Sequence, residues 1–395
     1  MQICGTDPSA NAVMNDPVIC WNEDNEEKSA RWQSEKGLPP PKRVQVIDDR
    51  MPADTAYRLA CEGTALLWRG DFQNARQLLQ AIARRVDKKK PEKNPRQQTV
   101  FTPAEAFHRH RLTQSQRART LEKLLIPFNA DHTIPLRRAP DVHAACLEAY
   151  GACTGPYIAS LRELLGLIGA YEWRKKGIEI AALDMTIHPH YGVFAPIRNE
   201  YVKLVTQAPP PKLLATQSIA FDIGTGTGVL AAALALRGVQ HITATDQDPR
   251  ALQCARDNLT RLNLIDHVEL VQTDLFPQGQ AALIVCNPPW IPARPSSPLE
   301  HAIFDPESRM LRRFLHGLSA HLLPDGEGWL ILSDFAEHLG LRTREELLQL
   351  IETAGLKVLG RTDIKPHHPR VSDTSDPLHS ARAAELTSLW RLAIK

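Results

Sequence analysis

Polar residues with the spacing of a ligand site cluster in the second half of the chain. Phe221-Asp222-Ile223-Gly224-Thr225-Gly226-Thr227-Gly228-Val229-Leu230 joins an apolar run, closed by a carboxylate, to three glycines at alternate positions. The Ala/Leu-rich segment Leu230–Leu236 follows at once. Strand, tight turn and helix start in that order bind a ligand beyond the strand's carboxyl end. Glycine is required because a Cβ would block the ligand and because such a turn visits φ > 0. Thr225 and Thr227 fill the positions between and join the glycines and Asp222 as candidate cofactor-binding residues. Asp246 closes the run from His241, where a carboxylate accepts both hydrogen bonds of a vicinal ribose diol. Asp274, followed by Leu275, ends the run from His267 and offers an acceptor to an exocyclic adenine amine. Asn287 ends the run from Ala281. Each alone is a common turn former. Three in register after Gly-x-Gly-x-Gly point to a nucleoside-bearing cofactor, with a dinucleotide as competitor, although here the third glycine follows the second by two residues instead of three.

The elements that must carry these residues alternate strand and helix past Pro209-Pro210-Pro211, which implies a mostly parallel α/β sheet. Asp248-Pro249 caps a helix whose buried face is Ala251, Leu252, Ala255, Leu259 and Leu262. A helix over Ser308–Leu322, a strand over Trp329–Ser333, a capping box at Thr343 and Glu346, and strands near Leu356–Ile364 and Leu386–Ile394 complete the pattern.

Upstream, the expectation is an all-helical accessory domain over residues 51–177. Tyr57, Ala60, Cys61 and Leu67 share a face, Arg69-Gly70-Asp71 gives a stop and an N-cap, and Phe72, Ala75, Leu78, Leu79 and Ile82 continue at helical spacing, which reads as an αα-hairpin. Thr102-Pro103-Ala104-Glu105 opens a further helix, and Asp141–Tyr150 and Pro156–Lys176 supply two more. Residues 1–50 read as a polar, poorly ordered tail, residues 178–215 as a hairpin (Ile178–Leu183 with Tyr191–Phe194) and connection, and 216–395 as the α/β domain.

Composition sets the outer limits. A net charge of +2 excludes a chain-wide polycation, although Arg84, Arg85, Lys88, Lys89, Lys90, Lys93 and Arg96, then Arg109, Arg111, Arg117, Arg119 and Lys123, make a local basic stretch. Seven cysteines without a C-x-x-C pair fit reduced thiols. His108-Arg109-His110-Arg111 lacks the company of a closed metal site and reads as surface. No export signal and no apolar run of about 20 residues is visible, so the expected location is the cytoplasm, with no membrane partner.

The motif that decides between cofactors is Asn287-Pro288-Pro289-Trp290. With Gly224–Gly228, Asp246 and Asn287 it resembles the class I S-adenosylmethionine-dependent methyltransferases, and among them the group with an Asn-Pro-Pro-aromatic signature, which includes N6-adenine and release-factor glutamine methyltransferases. The resemblance covers roughly residues 190–395. It implies a Rossmann-like sheet of seven strands, S-adenosyl-L-methionine as cofactor, and Asn287, Pro288, Pro289 and Trp290 as catalytic residues. In that role the Asn287 carboxamide oxygen and the Pro288 carbonyl each accept one N–H of a planar nitrogen, the prolines stiffen the turn, and Trp290 stacks on the target. No metal is required. Pro196-Ile197-Arg198-Asn199-Glu200-Tyr201-Val202-Lys203-Leu204-Val205 is similar to the Pro-Arg-x-Glu-x-Leu-Val segment of the glutamine methyltransferases. Trp290 stands where that group usually has Tyr. The implied partner is a macromolecular substrate, a protein glutamine first; an RNA or DNA adenine is the alternative favoured by the basic stretch, and a non-catalytic cofactor-binding protein is the third reading.

Overall fold

The computed structural model describes residues 17–88, 101–295, 298–366, 373, 374 and 376–395. The chain divides into two units, residues 1–90 with 117–167, and residues 91–116 with 168–395.

In the first unit, Val18–Glu23 (β1) and Glu26–Trp32 (β2) form an antiparallel hairpin turning at Asp24 and Asn25, with φ of 57° and 66°. Short polar side chains tolerate that left-handed conformation, which the tight turn demands. Ile19, Trp21 and Trp32 form the apolar face and are buried with Leu67, Leu125 and Ile158. Val44–Ile47 (β3), Ala53–Cys61 (α1), Ala65–Trp68 (β4) and Phe72–Asp87 (α2) follow. Then come Pro103–Leu121 (α3), which belongs to the second unit up to residue 116, Leu124–Phe128 (β5), His143–Tyr150 (α4), Tyr157–Ser160 (β6) and Leu161–Lys176 (α5), which belongs to the second unit from residue 168. The strands make one six-stranded sheet in the order β1-β2-β6-β5-β4-β3, with β3, β4 and β5 parallel.

That sheet corrects the expectation of an all-helical region. The helices are present, but Ala65–Trp68 intervenes in the expected αα-hairpin, and all four of its residues are buried. A run of four apolar residues bounded by glycines is long enough for a strand and too short for a helix. The expected tail is corrected too, because residues 17–50 contain β1, β2 and β3; residues 1–16 lie outside the described residues. The capping box that opens α3 is present: Thr102 Oγ1 accepts from the Glu105 N–H (3.3 Å) and Glu105 Oε2 from the Thr102 N–H (2.9 Å).

The second unit begins its sheet region with a separate hairpin, Ile178–Ile180 (β7) and Met185–Ile187 (β8). The returning arm was expected at Tyr191–Phe194; instead Asp184 turns the chain earlier (φ 52°), and Val193 is buried with Ala251 and Cys254. Glu200–Gln207 (α6), Ile219–Ile223 (β9), Val229–Leu236 (α7), His241–Asp246 (β10), Pro249–Arg261 (α8), Val268–Gln272 (β11) and Ala281–Cys286 (β12) come next. Arg309–His321 (α9), Leu322–Ser333 (β13), Phe335–His338 (α10), Arg344–Thr353 (α11), Leu356–Ile364 (β14), His379–Ala384 (α12) and Thr387–Ile394 (β15) finish the chain.

These seven strands stand in the order β11-β10-β9-β12-β13-β15-β14, with β15 antiparallel to both neighbours and the others parallel to one another. The chain steps outward from β9 through β10 to β11, then returns to the other edge of β9 as β12. Ligands of open α/β sheets bind outside the carboxyl ends at such a reversal. Strand alternation sorts the core into two layers. Ala220, Leu283, Val285 and Ile331 pack with Val205, Ala231 and Leu259, while Phe221, Ile223, Ile284 and Leu332 pack with Phe314, Leu318 and Leu347. Among the described residues no helix is long and apolar enough to cross a membrane.

Candidate active site

The turn after β9 holds Gly224, Gly226 and Gly228 at φ of 72°, 55° and 81°, a region where any Cβ is strained. Their surroundings differ. A Cβ on Gly228 would lie 3.2 Å from Cα and Cβ of Ala255, so α7 and α8 meet there; on Gly224 it would lie 3.2 Å from Met310 Cε. On Gly226 it would meet nothing within 4 Å. That open space is the cradle of the turn.

Asp222, only 1% exposed, braces the cradle from beneath. Its Oδ2 accepts from Thr225 Oγ1 (2.7 Å) and from the Ala231 N–H (3.1 Å), tying the turn to the first turn of α7. Burial pushes its carboxyl up to about 6, against the pull of those two hydrogen bonds. Thr227 is buried, and its carbonyl accepts from Asn258 Nδ2 (3.1 Å). Asp222, Thr225 and Thr227 therefore shape the turn.

Asp246 stands at the end of β10, half-buried, with Oδ2 accepting from the Gly226 N–H (3.1 Å) and Oδ1 from the Asp248 N–H (3.0 Å). A carboxylate has about four acceptor positions, so capacity remains for a diol. Burial raises its pKa, opposed by those backbone N–H groups. Asp274 is exposed, and its two oxygens accept from Arg313 Nη1 (2.8 and 3.1 Å). Leu275 holds φ 77°, and its carbonyl accepts from Thr245 Oγ1 (2.6 Å), which fixes the loop end beside β10.

The corner Asn287-Pro288-Pro289-Trp290 leaves β12 next to this turn: Cys286 pairs with Ile223, so Asn287 and Gly224 emerge side by side. Asn287 is half-buried and Pro288 buried. Trp290 Nε1–H donates to Asn287 Oδ1 (2.9 Å). The Arg198 guanidinium lies 5.5 Å from the centre of the Trp290 ring. Arg198 donates in turn to both oxygens of buried Glu385 (2.9 and 3.2 Å) and to Glu200 Oε1 (3.3 Å), and Ser333 Oγ donates to Glu385 Oε1 (2.6 Å). Burial alone would lower the pKa of Arg198, but Glu385 and Glu200 outweigh it and the net shift is upward.

Sequence reasoning missed Glu385 and Ser333. Ser333 ends β13 and Glu385 stands just before β15, and the signal available was their position as polar residues at strand ends. Near the corner, Cys286 is wholly buried and its thiol is pushed well up by burial, as befits a core residue. Glu300 accepts from Arg111 (3.1 Å), and Arg294 is exposed. His379 begins α12, while His367 and His368 lie outside the described residues. In the basic stretch, Arg85 pairs with Asp54 and Arg117 with Asp87; Lys89, Lys90, Lys93 and Arg96 lie outside the described residues. Among the described residues no group of three or more His, Cys, Asp or Glu is arranged to hold a metal ion.

Residues 184–343 match the family model of the methyltransferase small domain. These residues form a methyltransferase domain. The methyltransferase domain is of the S-adenosylmethionine-dependent kind, with a Rossmann-like sheet. The chain is 41% identical over 66 residues to a ribosomal protein L11 methyltransferase of Hahella chejuensis, which is 17% of this chain and 23% of that protein. It is 36% identical over 124 residues to a release factor glutamine methyltransferase of Vibrio cholerae, 28% of this chain and 43% of that one. A solved structure, the ribosomal protein L11 methylase of Lactobacillus delbrueckii subsp. bulgaricus, aligns with a TM-score of 0.36 at 19% identity, covering 54% of this chain and 86% of that one. The chain thus spans less than half the length of the two curated relatives named.

Proposed function

We propose that the protein transfers a methyl group from S-adenosylmethionine to a planar amide or exocyclic nitrogen of a macromolecule, a protein glutamine first. The observation that carries this reading is the strand register that sets Asn287 beside the glycine turn. The residues present fit the cofactor: Gly226 faces open space and Asp246 keeps free acceptor positions. Bound S-adenosylmethionine supplies an electrophilic methyl: as the N–C bond forms, the C–S bond breaks with its electron pair going to sulfur, and the nitrogen's proton leaves to water.

The chain's own residues supply alignment. An amide or aniline-like nitrogen is a poor nucleophile because its lone pair is delocalised. Asn287 Oδ1 and the Pro288 carbonyl accept its two N–H groups, hold it in place and favour pyramidal character as the new bond forms. The two prolines fix φ near −65° and keep both acceptors aimed. Asp222 keeps the cradle's shape from below.

A protein target is favoured by the Pro196–Val205 segment and by relatives named for a ribosomal protein and a release factor. An adenine N6 is the alternative; of the basic side chains that suggested it, Arg85, Arg111 and Arg117 are each held by a carboxylate. The intact corner speaks against a purely binding role. The test is transfer of labelled methyl from S-adenosylmethionine into an extract of source cells lacking the protein, followed by protease or nuclease digestion. Label released by protease is expected; release by nuclease alone would overturn the glutamine preference, and no label would overturn catalysis. Asn287→Ala is expected to cut transfer by roughly 100-fold or more, the scale of removing one aimed transition-state partner, with cofactor affinity kept within a few fold.

A further inference from the structure

We propose that Trp290 is a positioning residue whose indole N–H fixes the Asn287 carboxamide for methyl transfer, and that Arg198, anchored by Glu385, fixes Trp290. The proposal rests on the catalytic reading of Asn287 given above. A half-buried carboxamide rotates about its last torsion with little intrinsic preference, so an unbraced Asn287 would present either its oxygen or its NH₂ to a target. Only the oxygen can accept the target's N–H. The Trp290 Nε1–H, 2.9 Å from Asn287 Oδ1, breaks that degeneracy because it pairs with oxygen and not with NH₂. One lone pair of Oδ1 is used in this way and one is left for the target.

The indole is itself held in place. Its ring packs at the junction of three apolar clusters, so its rotation is restricted from several sides. The guanidinium of Arg198 lies over it at 5.5 Å, in the range of a cation–π contact. Arg198 has its planar fork on Glu385, which is 2% exposed and also accepts from Ser333. The chain of contacts Ser333–Glu385–Arg198–Trp290–Asn287 runs from the end of β13 to the end of β12. A tyrosine or phenylalanine at position 290 has no donor equivalent to the indole N–H. Trp290 thus serves as a brace for the acceptor in addition to any stacking on the target.

The test compares Trp290→Phe, which keeps an aromatic ring and deletes the N–H, with the native full-length chain and Asn287→Ala. Calorimetry with S-adenosylmethionine measures affinity, and labelled-methyl transfer into the same cell extract measures rate at saturating cofactor. Trp290→Phe is expected to lower the rate per cofactor-binding site, counted from the calorimetric stoichiometry, at least tenfold with the KM for S-adenosylmethionine unchanged within twofold, a result that neither loss of folded protein nor damage to the cofactor cradle would give. Native rate in Trp290→Phe with Asn287→Ala inactive would overturn the brace and leave the catalytic reading standing. Native rate in Asn287→Ala would overturn the catalytic reading and the brace with it. A second measurement does not depend on Trp290→Phe folding: in ¹⁵N-tryptophan-labelled protein, the Trp290 indole N–H signal is expected to move upfield and exchange faster in Asn287→Ala and to stay near its native position in Asn287→Asp. An indole signal unmoved in Asn287→Ala would overturn the proposal.

Discussion

Both units place a glycine turn between the carboxyl end of a parallel strand and the start of a helix, and the two turns have opposite contents. After β4, Arg69-Gly70-Asp71 leads into α2, and a Cβ on Gly70 would lie 2.6 Å from Asp49 Oδ1. Asp49 comes from the loop after β3 and fills the turn, accepting from the Asp71 N–H (3.1 and 3.2 Å) and from Asn74 Nδ2 (2.8 Å). Asp71 is buried, whereas Asp49 is exposed, and Asp71 is satisfied by the Gln73 N–H (2.8 Å) and Arg138 Nε (2.7 Å). After β9, the same place beside Gly226 is open. A strand–turn–helix unit is therefore not by itself a ligand site. What makes one is open space beside the turn, as at Gly226, with a neighbouring carboxylate, Asp246, that keeps spare acceptor positions.

The largest expected effect that sharpens this contrast is at Gly226. Gly226→Val puts a β-branched residue at φ 55° and fills the cradle, and should weaken S-adenosylmethionine binding roughly 100-fold, about 3 kcal/mol, by calorimetry. Asp246→Ala removes a charged acceptor and should weaken the same binding by about 1.5–3 kcal/mol. Gly70→Ala is the counterpart in the first unit: it should cost about 0.5–1.5 kcal/mol of folding stability by pushing the exposed Asp49 carboxylate off the Asp71 N–H and Asn74, read as a lower melting temperature, and leave cofactor affinity unchanged. Equal loss of cofactor binding in Gly70→Ala and Gly226→Val would break the comparison.

Acid titration separates the units further. Hydrogen bonding to Arg69 holds the Glu23 carboxyl at about 2, so its stabilising contribution is present above the ordinary glutamate value near 4.5 and lost as pH falls toward 2. Asp222 is shifted the other way, to about 6, by burial. Its contribution is present below the ordinary value of 3.8 and lost as pH rises through about 6. Melting temperature against pH should therefore lose slope below pH 4.5 in Glu23→Gln, and lose a component falling between pH 4 and 6 in Asp222→Asn. The smallest expected effect is at Arg313: its pair with Asp274 is exposed, so Arg313→Ala should change stability by less than about 1 kcal/mol.

The two units were also unequally legible. In the second, buried parallel strands read as continuous apolar runs ending in polar residues, and His241–Asp246 and Leu356–Ile364 form strands at the bounds the sequence implies. In the first, the strands are short and adjoin helices. Tyr157–Ser160 runs directly into α5, so no change of period marks the junction, and Leu124–Phe128 carries Pro127, a residue that argues against a strand. The β1–β2 hairpin is polar on its outer face, and its signal, Trp21 and Trp32 across an Asp-Asn turn, is sparse. In the site, the glycine turn and the Asn-Pro-Pro-Trp corner are local in sequence and readable. The contact of Arg198 with Glu385 joins residues far apart in the chain and depends on β15 inserting between β13 and β14, which no local pattern encodes.

The most direct measurement is a crystal structure of the full chain with S-adenosylhomocysteine. The expected density lies over Gly226 with the ribose hydroxyls on Asp246 and the sulfur facing Asn287 Oδ1. Ligand bound away from that turn, or an Asn287 side chain directed away from the sulfur, would contradict it.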